Sequence, residues 1–360
     1  MEDRRMKRIA AAGWPSVFSA SGGWALVVAA LLVAPGCGGP PAPDLVVYAA
    51  LDGEFSEPIL EDFAKEQGIN VSWKFDTEAY KTVGLYRAIV EEQKRPRCDV
   101  FWNNEILGTL RLQEQGLLQA YESPLAKNYP AAFRSPEGYW HGFAARARVL
   151  VVNPDKLKDG EQPPKSILDL TDPRWKGRLA MAKPVYGTTF THACCLFGHW
   201  GDDRAKEFFR ALKANDVQIV AGNKDSAEQV ATGKLAIGLT DTDDAVVFQE
   251  QGYKLQIVYL DRDAESNDLG TLFIPNSLGI IKNCPHPEAA RKLIDHLLSA
   301  EVETRLAEGA SAQIPLATNV KAKTRVETPA TVKPMPVDFA AAAKKWDAAH
   351  DFLRETFGTD

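Results

Sequence analysis

Three aspartates crowd the end of one apolar run. In LAIGLTDTDDAVVFQEQG, Asp241, Asp243 and Asp244 stand where a strand should stop and a helix begin. Carboxylates so close together repel one another and raise their own pKa values unless something positive relieves them. A hard cation does so by taking oxygen donors, and so does the ammonium group of an organic solute. A local reading is that Asp241 or Asp243 caps the following helix, although three acids exceed what one cap requires. In YGTTFTHA, Gly187, Thr188 and Thr189 open a helical stretch and offer N–H and hydroxyl donors to an anion, or a threonine acts as N-cap. Arg146 and Arg148 alternate along the extended FAARARVLVV and so share a side. A guanidinium there either grips a carboxylate, phosphate or carbonate with its planar fork or makes a structural ion pair. Asn103 and Asn104 end CDVFWNN, as donors and acceptors for a ligand or as turn residues.

The elements around these residues alternate. DLVVYAAL reads as a strand, SEPILEDFAKEQG as an amphipathic helix closed by Gly68, INVSWKF as a strand, AYKTVGLYRAIVEEQ as a helix, CDVFWNN as a strand and EILGTLRLQEQG as a helix. A long extended segment runs through Val152, and a second alternating region leads to the strand KLAIGLTD. GTLFIPNSLGIIKNCP then returns to the first region, with Asn276 and Ser277 lining a cleft or forming a hinge, and HPEAARKLIDHLLSAEVETRLAEG is strongly helical. Such alternation implies parallel strands with helical crossovers. The expected fold is α/β, two lobes each with a central sheet flanked by helices, joined by two extended crossings. The boundaries are 45–145 for the first lobe, 146–270 for the second, and 271–360 for the return and C-terminal helices. A cleft between two such lobes closes on a ligand by hinge motion.

The chain has 360 residues and is 45% hydrophobic, enough for two cores, and its net charge of −6 comes without a basic block. Nucleic acid is therefore not an expected partner. At the N-terminus, Arg4, Arg5, Lys7 and Arg8 precede WALVVAALLVAP and GCGGPPAPD, the order of an export signal. Ala34, Pro35 and Gly36 before Cys37 resemble a bacterial lipobox, so residues 1–36 are expected to be a lipoprotein signal peptide, Cys37 the acylated N-terminus and 37–44 a tether. An ordinary cleaved signal with a chance cysteine is the alternative. Cys98, Cys194, Cys195 and Cys284 match no zinc framework and read as buried thiols. The histidines, His192 among them, show no short metal spacing.

DLVVYAALDGEFSEPILEDFAKEQGINV, CDVFWNNEILGTLRLQEQGLL, GFAARARVLVVNP, DLTDPRWKGRLAMAKP and IGLTDTDDA together resemble the ferric-ion-binding branch of the bacterial periplasmic solute-binding proteins that serve ABC importers. The similarity runs from about Leu45 to Gly309. It implies a monomeric, non-catalytic receptor in the periplasm or at the cell surface, held to the membrane only by its lipid. Such a receptor hands a small solute to a permease with an ATPase partner. Iron-binding relatives carry a histidine after the first strand, a glutamate after the DVF strand and two adjacent tyrosines after the strand equivalent to LAIGL. Here Asp52 stands in place of the histidine, Asn104 and Glu105 lie near the glutamate, and Asp243 and Asp244 replace the tyrosines. Arg146 matches the first arginine of the family's segment, and Gly187, Thr188 and Thr189 fall where relatives hold an anion. The resemblance thus implies Asp52, Glu105, Asp243 and Asp244 as oxygen donors to ferric iron or another hard cation, carried as cargo with carbonate or phosphate and with no resident cofactor. Tyr48, Tyr80, Tyr86 or Tyr186 could supply a phenolate from elsewhere. The alternative cargo is an organic phosphonate, phosphate ester or amine-bearing solute. A carboxylate-dependent exported hydrolase is a minor alternative, set back by the absence of a nucleophile elbow, zinc signature or phosphate loop.

Overall fold

Strand and helix alternate from the start of the computed structural model, which describes residues 42–76, 83–263 and 269–358. The leader with Cys37, and Tyr80, lie outside the described residues. No helix among the described residues is long and apolar enough to cross a membrane. The first group comprises β1 (Leu45–Ala49), α1 (Gly53–Gln67), β2 (Val71–Phe75), α2 (Val83–Glu91), β3 (Val100–Asn103), α3 (Leu107–Glu114) and β4 (Leu118–Gln119). The long β5 (His141–Val152) leads to β6 (Leu179–Ala182), α4 (Gly187–Trp200), α5 (Asp202–Ala214), β7 (Gln218–Val220), α6 (Asn223–Ala231), β8 (Ile237–Asp241), α7 (Thr242–Glu250) and β9 (Gln256–Tyr259). The chain returns through β10 (Phe273–Ile281), α8 (Pro287–Leu297) and α9 (Ala300–Glu308), and ends in α10 (Phe339–Ala343) and α11 (Trp346–Phe357).

Sequence periodicity explains these elements. In α1, Ile59, Leu60 and Phe63 form the buried stripe, and Gly68 ends the helix at φ 64°, a left-handed position that glycine takes without steric cost. The helical run after Pro287 is broken in two because Ser299 turns its hydroxyl onto the N–H of Val302 at 3.2 Å and starts α9 afresh.

The strands run in the order β2-β1-β3-β10-β5-β8-β6-β7, with β4 beside β10 and β9 beside β5. β5 joins two halves: residues 141–147 pair with β10, and 148–152 pair with β8 and β9. Each half has its own core, the first gathering Leu45, Val47, Phe63, Phe101, Trp102, Phe143 and Leu293. The second holds Leu150, Trp175, Phe190, Phe197, Phe209 and Leu353. Each fully buried large apolar side chain contributes about 1.5–3 kcal/mol, so the halves are separately stabilised. This is the α/β, two-lobed arrangement expected from the sequence. A third passage joins the lobes as well: Ile314, Leu316 and Val326 lie in the first core, while Phe339, Leu353 and Phe357 lie in the second. The C-terminal helices thus pack on α4 and α5, where Trp346 meets Phe190 edge-on at 4.7 Å.

Candidate functional site

β1 and β3 run parallel to each other in one lobe, as β7 and β8 run parallel to β6 in the other, and the carboxyl ends of these strands meet at a cavity of about 50 Å³. Open α/β sheets bind ligands at such ends. Nine of the residues singled out in the sequence line this cavity: Asp52, Asn104, Arg146, Gly187, Thr188, Thr189, Asp241, Asp243 and Asp244. Larger hollows, of about 410 Å³ between α1, α7 and α9 and about 670 Å³ beside β9, are open troughs without comparable convergence of charge.

The acids have counter-charges, contrary to the expectation of an uncompensated cluster. Arg148 Nη1 donates to Asp241 Oδ1 at 2.7 Å, with both side chains buried. Thr188 Oγ1 donates to Asp241 Oδ2 at 2.5 Å and Asn223 Nδ2 at 3.0 Å, so both oxygens of Asp241 are engaged from within the protein. Arg146 Nη1 donates to Asp243 Oδ2 at 3.2 Å, and its Nη2 to the carbonyl of Asn104, tying the second lobe's acid to the first lobe's strand end. Burial opposes the charge on Asp241, yet Arg148 and then Arg146 prevail and hold its carboxyl below the usual range. For Asp243, burial outweighs Arg146, Asp241 and Asp52 add repulsion, and the carboxyl is pushed up to about 6.

Helix capping accounts for part of the cluster. Asp241 occupies the N-cap position of α7 but makes no capping hydrogen bond with its side chain. Asp243 Oδ1 accepts from the N–H of Asp244 at 3.0 Å, inside the first turn.

Two expected ligands are structural instead. Glu105 accepts from Asn103 Nδ2 at 2.7 Å, from the N–H of Gly108 at 2.8 Å, from Thr191 Oγ1 at 3.0 Å and from the N–H of Leu107. It is buried, outside the cavity lining, and secures the start of α3. Burial pushes its carboxyl up against these hydrogen bonds. Asn103 is its partner and likewise does not line the cavity. A carboxylate just ahead of a helix is a capping signal, and that reading would have separated Glu105 from the site.

Other residues emerge only from the fold. Asn223, at the start of α6, accepts from Arg148 Nη1 at 3.1 Å and Thr189 Oγ1 at 2.9 Å, while its Nδ2 donates to Thr188 Oγ1 at 2.7 Å and to Asp241. It locks the four side chains together. Its place after VQIV, beyond a strand's carboxyl end, was the available signal. Lys183, Gly222 and Lys224 also line the cavity, with Tyr186. Of the tyrosines considered that are among the described residues, Tyr48 bonds Glu92 at 3.0 Å, Tyr86 accepts from Gln115 at 2.6 Å, and Tyr186 lines the cavity. His192 is buried in α4, where desolvation and then Arg148 press its pKa down to about 3.

The site can meet both signs of charge. Asp241, Asp243 and Asp244 offer oxygens within 4.8 Å of one another, compact enough for a cation. Asn104 Oδ1 is buried without a protein hydrogen-bond partner, a free acceptor at the same wall. Opposite in character, the N-terminus of α4 and the side chains of Lys183 and Lys224 suit an anion. Gly187 stands at φ 62°, with open space where a β-carbon would be.

A two-lobed α/β body with a charged interlobe cavity defines a solute receptor, and the chain belongs to the bacterial extracellular solute-binding protein family, whose profile matches residues 109–343. It is a periplasmic binding component of an ABC importer, working with a permease and an ATPase, and is not an enzyme. The chain is similar to iron uptake protein A1 of Synechocystis sp., with 25% identity over 74% of each chain. A putative 2-aminoethylphosphonate-binding periplasmic protein of Salmonella typhimurium is 26% identical over 71% of this chain and 73% of its own. Iron-bound HitA of Pseudomonas aeruginosa shares the fold with a TM-score of 0.77 at 24% identity, covering 87% of this chain and 99% of that one.

Proposed function

We propose that this receptor captures a small zwitterionic solute of the aminoalkylphosphonate type. The observation that carries the reading is charge balance: Asp52, Asp241, Asp243 and Asp244 line one cavity with Arg146, Lys183 and Lys224, and Arg148, outside the lining, pairs with Asp241. A bare trivalent cation brings more charge than this site can offset, because Asp241 and Asp243 already hold guanidinium groups, whereas a single ammonium can share Asp243 with Arg146. It gains from a solute that brings an ammonium to Asp243, Asp244 and the free Oδ1 of Asn104, and an oxyanion to Lys183, Lys224 and the first turn of α4. A cavity of about 50 Å³ has room for about four water-sized groups, the scale of a phosphonate head. The similarity to the Salmonella protein supports this class.

The second reading is ferric iron with a synergistic anion, favoured by the three convergent carboxylates and by the iron-binding relatives. We also infer that the mature receptor is anchored by acylated Cys37, on the strength of the sequence ALLVAPGC.

Calorimetric titration with 2-aminoethylphosphonate, orthophosphate, ethanolamine and ferric citrate separates the two. The zwitterion should bind at least tenfold more tightly than either of its halves. Tighter capture of ferric iron than of any organic solute overturns the assignment.

A further inference from the structure

The β5–β10 pairing slips by one residue at the lobe boundary. Ala145 opposes Pro275 and Phe143 opposes Asn276, so Ala144 is an extra residue on β5. It is buried and stands at φ 42°, a left-handed conformation that costs a residue with a β-carbon about 1–2 kcal/mol. One inserted residue also exchanges the two faces of every position that follows. Arg146 and Arg148, which reach the acids of the cavity, follow it directly.

Both backbone polar groups of the bulge are held by side chains. The N–H of Ala144 donates to Glu303 Oε1 at 2.7 Å, and its carbonyl accepts from Asn276 Nδ2. Glu303, on α9 and fully buried, also accepts from the N–H of Leu316 at 3.0 Å and of Ala317 at 2.7 Å. Between these contacts Ala145 and Ile314 exchange two backbone hydrogen bonds of 2.7 Å. Asn276 is fixed in turn by donating to Gln313 Oε1 at 2.8 Å. A strained backbone conformation persists only where its surroundings over-determine it. Here one carboxylate gathers the amides of the bulge and of the 314–317 segment.

We infer that Glu303 is a positioning residue for solute binding: by holding the bulge at Ala144 it sets the phase of β5 that presents Arg146 to the cavity and Arg148 to Asp241 in its wall, without touching the solute. The inference needs the interlobe cavity and is independent of which solute fills it.

Glu303→Gln keeps the shape but turns an amide group toward three N–H donors. Arginine-labelled NMR of the full chain reads the Nε–H resonances of Arg146 and Arg148, and calorimetry with orthophosphate reads affinity. The variant should shift both arginine resonances and weaken orthophosphate binding at least tenfold. Adding Ala144→Gly should restore part of the affinity, since glycine adopts positive φ without strain. Should Glu303→Gln not fold, Asn276→Ser releases the other end of the bulge and must move the same resonances. Unmoved arginine signals with affinity within twofold of the parent, whatever the melting temperature, would mean that Glu303 serves stability alone. If the parent itself does not bind orthophosphate, the anion-binding reading of the cavity fails, while the arginine resonances still decide the role of Glu303.

Discussion

Replacing Arg148 by Met tests the electrostatic core of the site. The substitution keeps an apolar stem but removes the guanidinium 2.7 Å from Asp241, in a place where the two side chains are 0% and 2% exposed. Removing one partner of a buried pair costs about 3–5 kcal/mol, because the other charge stays behind. The penalty here has a ceiling, since Asp241 can protonate instead. Relative to an ordinary carboxyl near 3.9, that costs about 4 kcal/mol at pH 7 and about 1.5 kcal/mol at pH 5, at 1.36 kcal/mol per unit. Two hydrogen bonds remain on Asp241, from Thr188 and Asn223, and bring the expected loss at pH 7 to about 3 kcal/mol. The sign is clear: the parent depresses the Asp241 pKa and gains stability as pH rises through it, whereas the variant raises that pKa and loses stability between about pH 4 and 7. Arg148→Met/Asp241→Leu removes both charges and should recover about 2 kcal/mol of the loss. Equilibrium urea denaturation at pH 5 and pH 7 measures all of these values. Single-variant losses below about 1 kcal/mol at pH 7, or losses independent of pH, would refute the reasoning, because a mere packing defect has no proton to exchange.

Three further outcomes follow from the same geometry. Because burial lifts Asp243 to about 6, its carboxyl should lose stability for the empty receptor as pH rises from about 4 to 6. Affinity for 2-aminoethylphosphonate should rise over that window and be about tenfold weaker at pH 5 than above pH 7; Asp243→Asn should remove the carboxyl's share of both trends, and a parental pH profile in that variant would exclude Asp243 as the ammonium partner. Glu105→Gln should lower stability by about 1–3 kcal/mol and leave solute affinity within twofold, so a tenfold loss of affinity in calorimetry would return Glu105 to the binding site. Ferric iron added to the receptor should give no strong visible tyrosinate band, and the appearance of one in absorption spectra would point to Tyr186, the phenol that lines the cavity.

Most of the fold was legible because it rests on local patterns. Ile59, Leu60 and Phe63 spell a helical stripe, and the run through Val152 spells a strand by its length and branching. The break at Ser299 was a capping preference set against a strongly helical run, and the cap prevailed. Glu105 was expected at the site because it lies near the glutamate that follows the DVF strand in relatives, and sequence position there stood in for position in space. Asn104 and Glu105 are adjacent, yet Asn104 lines the cavity while Glu105 turns back into the start of α3.

The sequence by itself determined that an acidic strand end, a pair of arginines and a glycine–threonine helix start belong to a two-lobed receptor, since strand alternation and helix onset are encoded within a few neighbouring residues. Only the tertiary structure decided the pairing of charges. Arg148 meets Asp241 across 93 residues and Arg146 meets Asp243 across 97, and Asn223 arrives from a third strand end to lock them. Whether a carboxylate is a free ligand or a satisfied counter-ion depends on desolvation and on which cation lies within hydrogen-bond reach, and both are properties of packing between segments remote in the chain.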